Sequence, residues 1–320
     1  MRLWRRLVLA LLFAAGASAA AAQTYPSRLI RLVVPFAAGG PADFLGRVFG
    51  QKLGEALGQQ IVVDNRPGAN TILAAQAVAK ADPDGYTLLM AIDGTLVMNP
   101  FLYGKLPYDA AKDFELISLI AIVPSAFVAN NAVPAHTLPD VVAQERAKPG
   151  TYLIGSSTPT TQVGIALLNM MAGTSFAIVP YKGGSTQITG ILGGEILLGV
   201  ESINVALPLY RAGQLKILAV TTPGRMTLVP EIASVADAYP GYDLGIWQSI
   251  VAPAGTPRAV IDRLSAAIKT VLSDRELREK ILAAGIEPAL SETPEEFAAF
   301  VRSQAQTRAA VIRAIGLKLD

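Results

Sequence analysis

The sequence predicts an α/β protein of two units, each a mainly parallel sheet flanked by helices. Three observations carry this. Short β-branched runs alternate with apolar stripes at helical spacing along most of the chain. Several connections after a strand are rich in glycine or hydroxyls and lead straight into a helix start. Two extended stretches, one from Leu116 to Ala129 and one from Tyr239 to Ala252, interrupt the alternation and read as crossings between units.

Taken in order, the chain opens with a positive segment, Met1 to Arg6, then an apolar run from Leu7 to Ala15 and small residues up to Ala22. That is an export signal with cleavage expected after Ala22. Its apolar run is shorter than the ~20 residues a membrane-spanning helix needs. Ile30 to Val34 is a strand buried on both faces. Pro35 stops it, and Gly39-Gly40 form a loop whose backbone can approach a ligand closely. Pro41 suits the first helical position, and Phe44, Leu45, Val48, Phe49, Leu53 and Leu57 make the apolar stripe. A free helix N-terminus after such a loop favours an anion, because unpaired N–H groups and the dipole both point at it. Neither a dinucleotide fingerprint nor a P-loop is present, so the anion expected here is small.

Ile61 to Val63 is a second strand, Ala69 to Ala81 a helix, and Tyr86 to Ala91 a third strand. In such βαβ sheets ligands lie beyond the carboxyl ends of the strands, which brings in Asp93-Gly94-Thr95. Asn99 to Asp109 is turn-rich without a clear period. Thr137 starts a helix with Asp140 three residues on. Tyr152 to Gly155 is a strand running into Ser156-Ser-Thr-Pro-Thr-Thr161, more hydroxyls than one N-cap needs, and so either a capped helix or a carboxylate contact. Phe176 to Pro180 is followed by a loop carrying Lys182, Gly183, Gly184 and Ser185. Lys182 is a counter-charge or a solvated loop lysine. Ile196 to Val200 leads to Glu201, which either accepts from a ligand's donor or caps the next helix, and Lys216 to Val220 closes this unit. Thr256 with Pro257, and Thr293 with Glu296, announce the last helices, the final one ending at Gly316. The expected division is residues 1–22 as leader, 23–123 with 250–320 as the first unit, and 124–249 as the second.

Composition excludes several chemistries. Of 320 residues, 52% are hydrophobic and 16% charged, which suits a sizeable core and argues against long disorder. No cysteine occurs, so disulfides and thiolate chemistry are out. The single histidine, His136, lies between prolines and reads as a surface residue. No metal site and no cofactor is expected. Without the three leader arginines, the 27 basic residues become 24 against 25 acidic, a near-neutral surface that argues against nucleic acid. A serine hydrolase would need a base: no G-x-S-x-G elbow exists, and only a Ser185–Lys182 pair remains formally available.

Five blocks carry a resemblance: Ile30 to Arg47 (IRLVVPFAAGGPADFLGR), Val63 to Asn70 (VDNRPGAN), Asn99 to Phe114 (NPFLYGKLPYDAAKDF), Val179 to Gly184 (VPYKGG) and Trp247 to Pro257 (WQSIVAPAGTP). Together, in this order, they resemble the Bug family, the TctC-like periplasmic binding proteins of tripartite tricarboxylate transport systems. The resemblance implies a two-lobed type II (Venus flytrap) fold, a monomer, no catalysis, and a small carboxylate held in the cleft. Membrane transporter subunits, or alternatively a sensor kinase, would be its partners. It implies ligand contacts at Phe36, Ala38, Gly39 and Gly40 with Thr95 nearby, and across the cleft at Ser156, Ser157, Thr158, Thr161, Gln162, Gly183, Gly184 and Ser185. Two departures stand out. Ser156 to Gln162 has a proline and threonines where many members are glycine-rich, and Glu201 replaces a frequent aspartate. Asp43 either caps its own helix or turns into the cleft and favours a ligand bearing a donor.

Overall fold

The computed structural model describes residues 25–222, 224–226 and 228–319; the leader and the cleavage expected after Ala22 lie outside them. Two sheets organise the chain. The first contains β1 (Ile30–Val34), β2 (Ile61–Asn65), β3 (Thr87–Ile92), β4 (Phe114–Val123), β10 (Ile246–Pro253) and β11 (Glu287–Pro288), in the order β11-β4-β10-β3-β1-β2. The second contains β5 (Ser125–Asn130), β6 (Leu153–Ser156), β7 (Ala177–Pro180), β8 (Leu198–Ser202) and β9 (Leu215–Val220), in the order β7-β6-β8-β5-β9.

Both sheets are mixed, where mainly parallel ones were expected. β1 pairs in parallel with β2 and β3, and β6 with β7 and β8. β10 runs antiparallel to both β3 and β4, and β5 antiparallel to both β8 and β9. The reversed strands in the middle of the sheets are the two that enter from the other sheet. β4 ends at Val123 and, after Pro124, β5 begins at Ser125. Apart from the two-residue β11, which is antiparallel to β4, strands local to a sheet run toward the crossing edge, whereas a strand arriving from the opposite sheet starts there and must run away from it. Ile246 to Ser249, expected in the second unit, pair with β3 and β4 in the first sheet.

The helices are α1 (Pro41–Leu57), α2 (Ile72–Ala79), α3 (Asn99–Leu102), α4 (Leu138–Ala147), α5 (Pro159–Ala172), α6 (Gly184–Leu192), α7 (Ile203–Arg211), α8 (Val235–Ala238), α9 (Arg258–Leu272), α10 (Arg275–Ala283) and α11 (Pro294–Ile315). α1 buries Leu45, Phe49, Leu53 and Leu57, and ends at Gly58 in the left-handed conformation. Gly46 and Gly50 lie against the sheet: a Cβ at 46 would come within 3.0 Å of Val34, and one at 50 within 3.3 Å of Ile61. The glycines thus let α1 sit close on β1 and β2, which positions its N-terminus. The α1 face shares one apolar cluster with Ile30, Leu32, Met90, Ile250 and Leu264.

Other expectations shift locally. The helix expected from Ala69 starts at Ile72, because Ala69, Asn70 and Thr71 all take positive φ. This left-handed turn costs conformational energy, and side chains hold it: Asn70 donates to the Tyr103 hydroxyl, Asn99 donates to the Asn70 carbonyl, and Thr71 and Thr95 share a hydrogen bond of 2.7 Å. Gly94 to Leu102, read as loop and turns, is helical throughout, its first part (Gly94–Met98) a π-turn. Pro257 caps α9 from outside rather than opening it. Thr293 does cap α11, accepting from the Glu296 N–H at 3.1 Å, and Gly316 ends it. No helix among the described residues is long and apolar enough to cross a membrane.

Candidate ligand-binding site

A small cavity of about 50 Å³ opens where the crossing edges of the two sheets meet. From the first sheet come Phe36, Ala37, Gly40, Pro41 and Ala42 after β1, Ile92 and Val123 at strand ends, and Ile246 and Gln248 at the start of β10. From the second come Ser157, Thr158 and Thr161 after β6, Gly183, Gly184 and Ser185 after β7, and Glu201 with Ser202 at the end of β8. These are the carboxyl ends of local strands and the amino end of an entering one, the location the topology predicts for a ligand.

The loop before α1 is braced from behind. Asn65 donates to the Phe36 carbonyl at 3.0 Å. Asp43 accepts the Gly39 N–H at 3.0 Å and pairs with Arg47, whose Nε lies 3.0 Å from Oδ2 and whose Nη2 lies 2.9 Å from Oδ1. Burial would raise the Asp43 pKa, but the hydrogen bonds from Arg47, Gly39 and Asn65 outweigh it and hold the carboxyl below its ordinary value. Asp43 is therefore spent on its own loop and lies outside the cavity lining, as do Ala38 and Gly39. Gly40, the cap of α1, carries no side-chain hydrogen bond to the helix.

The hydroxyl-rich loop is mostly engaged with itself. Thr158 accepts the Thr161 N–H at 3.1 Å and Thr161 accepts the Thr158 N–H at 3.1 Å, a reciprocal capping box. Ser156 bonds to the Thr161 hydroxyl at 2.6 Å from below and does not line the cavity. Gln162 reaches Asn70 at 3.5 Å, across the junction of the two units, and Thr95 is held by Thr71; neither lines the cavity. Capping accounts for hydrogen bonds of Thr158 and Thr161, and both line the cavity together with Ser157.

Thr160 does something else. Its hydroxyl donates to Asp93 Oδ2 at 2.7 Å, joining α5 to the end of β3. Asp93 is fully buried; burial pushes its pKa up to about 6, against the opposing charge of Arg308 on α11. Asp93 Oδ1 has no partner. Thr160→Val is expected to lower stability by about 1–3 kcal/mol, because it leaves a second oxygen of a buried carboxylate unsatisfied. Urea denaturation measures this, and an unchanged midpoint would show that the contact is replaceable.

Glu201 is only 2% exposed. Its Oε1 accepts both the N–H and the hydroxyl of Ser202 at 2.8 Å, while Oε2 has no partner. Burial drives its pKa up to about 7, with the Ser202 hydrogen bonds opposing. A Cβ at position 184 would fall 2.6 Å from both carboxylate oxygens, so the glycine lets Glu201 lie against the start of α6. Gln248 was missed from the sequence. It is 3% exposed, it lines the cavity, and its Oε1 has no partner. The available signal was a lone amide in a fully buried strand whose only other polar side chain is Ser249. Lys182 does not line this cavity, and His136 is exposed. Among the described residues no cluster of candidate metal ligands occurs.

Residues 45–317 match the tripartite tricarboxylate transporter family receptor, TctC. Protein BugT of Bordetella pertussis is 32% identical over 326 residues, covering all of both chains. Among solved structures, an R. palustris protein with adipate is 30% identical, spans 92% of this chain and 99% of its own, and superposes with a TM-score of 0.88. MatC of Rhodopseudomonas palustris with bound malate is 28% identical, spans 90% of this chain and all of its own, with a TM-score of 0.85. The periplasmic binding protein BugD, 28% identical and spanning 92% and 99%, gives 0.87. The two-lobed α/β fold is that of the periplasmic binding proteins, and the chain belongs to the tripartite tricarboxylate transporter family of receptors, which bind solutes rather than transform them.

Proposed function

We propose that this chain is an exported, periplasmic receptor that holds a carboxylate-bearing solute in the cleft between its lobes and delivers it to the membrane subunits of a tripartite transporter. The observation that carries the reading is the uncapped N-terminus of α1 at the cavity wall. Its free N–H groups and dipole favour an anion without any buried cation. That similar receptors are solved with adipate and malate supports the carboxylate class. The lobes would be residues 25–123 with 246–319, and 124–245, hinged at Pro124 and near Gly245. The cavity has room for only a few waters at about 10–15 Å³ each, so a solute of adipate or malate size enters when the lobes part and is enclosed as they close.

A thermal-shift screen of the chain from Gln23 onward against mono-, di- and tricarboxylates tests this. A ligand that binds the folded state raises the melting temperature by an amount set by its concentration relative to Kd. Esters or neutral analogues that shift the melt as much as the acids would count against the reading. Because backbone groups rather than lysine or arginine face the cavity, affinity should fall less than about tenfold between low and moderate salt. Titration calorimetry at two salt concentrations measures that ratio.

A further inference from the structure

Four helices begin at the cavity, and they differ in what already occupies them: α7 follows Ser202, whose N–H and hydroxyl both go to Glu201, and its first N–H donates to the Pro124 carbonyl. α5 is closed by the Thr158–Thr161 capping box. α6 starts at Gly184 with the buried carboxylate of Glu201 packed against it. α1 starts under Gly40, with no capping side chain, and its one acidic residue, Asp43, is neutralised by Arg47. A ligand's anionic end is therefore drawn to the α1 side.

The lining also holds groups of the reverse character, Glu201 on the second sheet and Gln248 on β10 of the first. Glu201 Oε2 and Gln248 Oε1 are both buried acceptors without partners, and neither lysine nor arginine lines the cavity among the described residues. A second carboxylate beside these groups would meet acceptors and like charge in a site of low dielectric, which is repulsive. Donor hydrogens would satisfy both oxygens, and leaving such acceptors unmade is costly.

We propose that the ligand is bipolar, a carboxylate at one end and N–H donors (an ammonium or a primary amide) at the other, with Glu201 and Gln248 recognising the donor end. This rests on the carboxylate reading above and narrows it: a plain dicarboxylate is disfavoured. Burial of Glu201 supports it, since a bound cation would offset the solvation that the carboxylate has lost.

The test is calorimetry at pH 8 with length-matched probes: succinate, succinamate and 4-aminobutyrate; glutarate, glutaramate and 5-aminopentanoate; and butyrate, butyramide and butylamine as single-ended controls. In at least one series the amide or amine acid should bind about tenfold or more tighter than the dicarboxylate and than butyrate. Glu201→Gln should shrink that preference to about threefold or less. Gln248→Leu, which touches neither α1 nor the Ser202 contact, should weaken the donor-bearing acids selectively. If dicarboxylates bind as tightly as the donor-bearing acids, or Glu201→Gln leaves the ratio intact, the bipolar proposal is wrong and the carboxylate reading stands. If butyramide and butylamine bind as tightly as the acids, the carboxylate reading itself fails, and the bipolar proposal with it.

Discussion

The Phe49→Ala variant is expected to lose about 3–5 kcal/mol of unfolding free energy. Phe49 is fully buried at the centre of the α1 face, between Leu45 and Leu53, and packs into the cluster built on β1, β3 and α9. Removing the ring forfeits its transfer energy and leaves a cavity that a helix seated on glycines cannot readily collapse into, because at Gly46 and Gly50 its backbone already lies against the Val34 and Ile61 side chains. Urea denaturation should show a lower midpoint at unchanged slope. A loss below about 1 kcal/mol would mean that α1 re-seats freely, contrary to this packing. Since α1 also presents the proposed anion end, carboxylate affinity should fall in the same variant.

The second large effect is a pH dependence. Glu201 is raised from its ordinary 4.5 to about 7, and Asp93 from 3.8 to about 6, in both cases first by burial. A carboxyl whose folded pKa is raised binds its proton more tightly in the folded state. Its contribution is therefore fully present below the unfolded value, near pH 4, and is lost as pH rises through the folded one. The unliganded protein should accordingly be more stable at pH 5 than at pH 8, before global acid effects on its surface ion pairs intervene. Glu201→Gln, which carries no charge at any of these values, should stabilise the unliganded protein by about 2–3 kcal/mol at pH 8 and by little near pH 4. Melting curves at several pH values measure the difference. A variant gain that does not change with pH would mean that Glu201 titrates normally and that water reaches it.

This behaviour fits a binding role. A buried carboxylate with one free oxygen lowers the stability of the empty receptor, and a ligand that satisfies it recovers that stability only when bound.

Much of the fold could be read locally. Strand runs such as Ile30 to Val34, the stop at Pro35, the start at Pro41 and the caps at Thr137, Thr158 and Thr293 all follow from residue preferences over a few positions, which the sequence displays directly. The three glycine or hydroxyl loops lie at the cavity for the same reason, since strand ends and helix starts are local features. Two things depended on the tertiary structure. The direction of β5 and β10 follows from where the chain arrives, not from any residue within those strands. The availability of each polar group depends on what stands opposite it: Asp43 is occupied by Arg47, Thr160 by Asp93 and Thr161 by Ser156, while Glu201 and Gln248 keep an acceptor free. A sequence shows that a side chain can hydrogen-bond, but partners far along the chain decide whether it still has a bond to give.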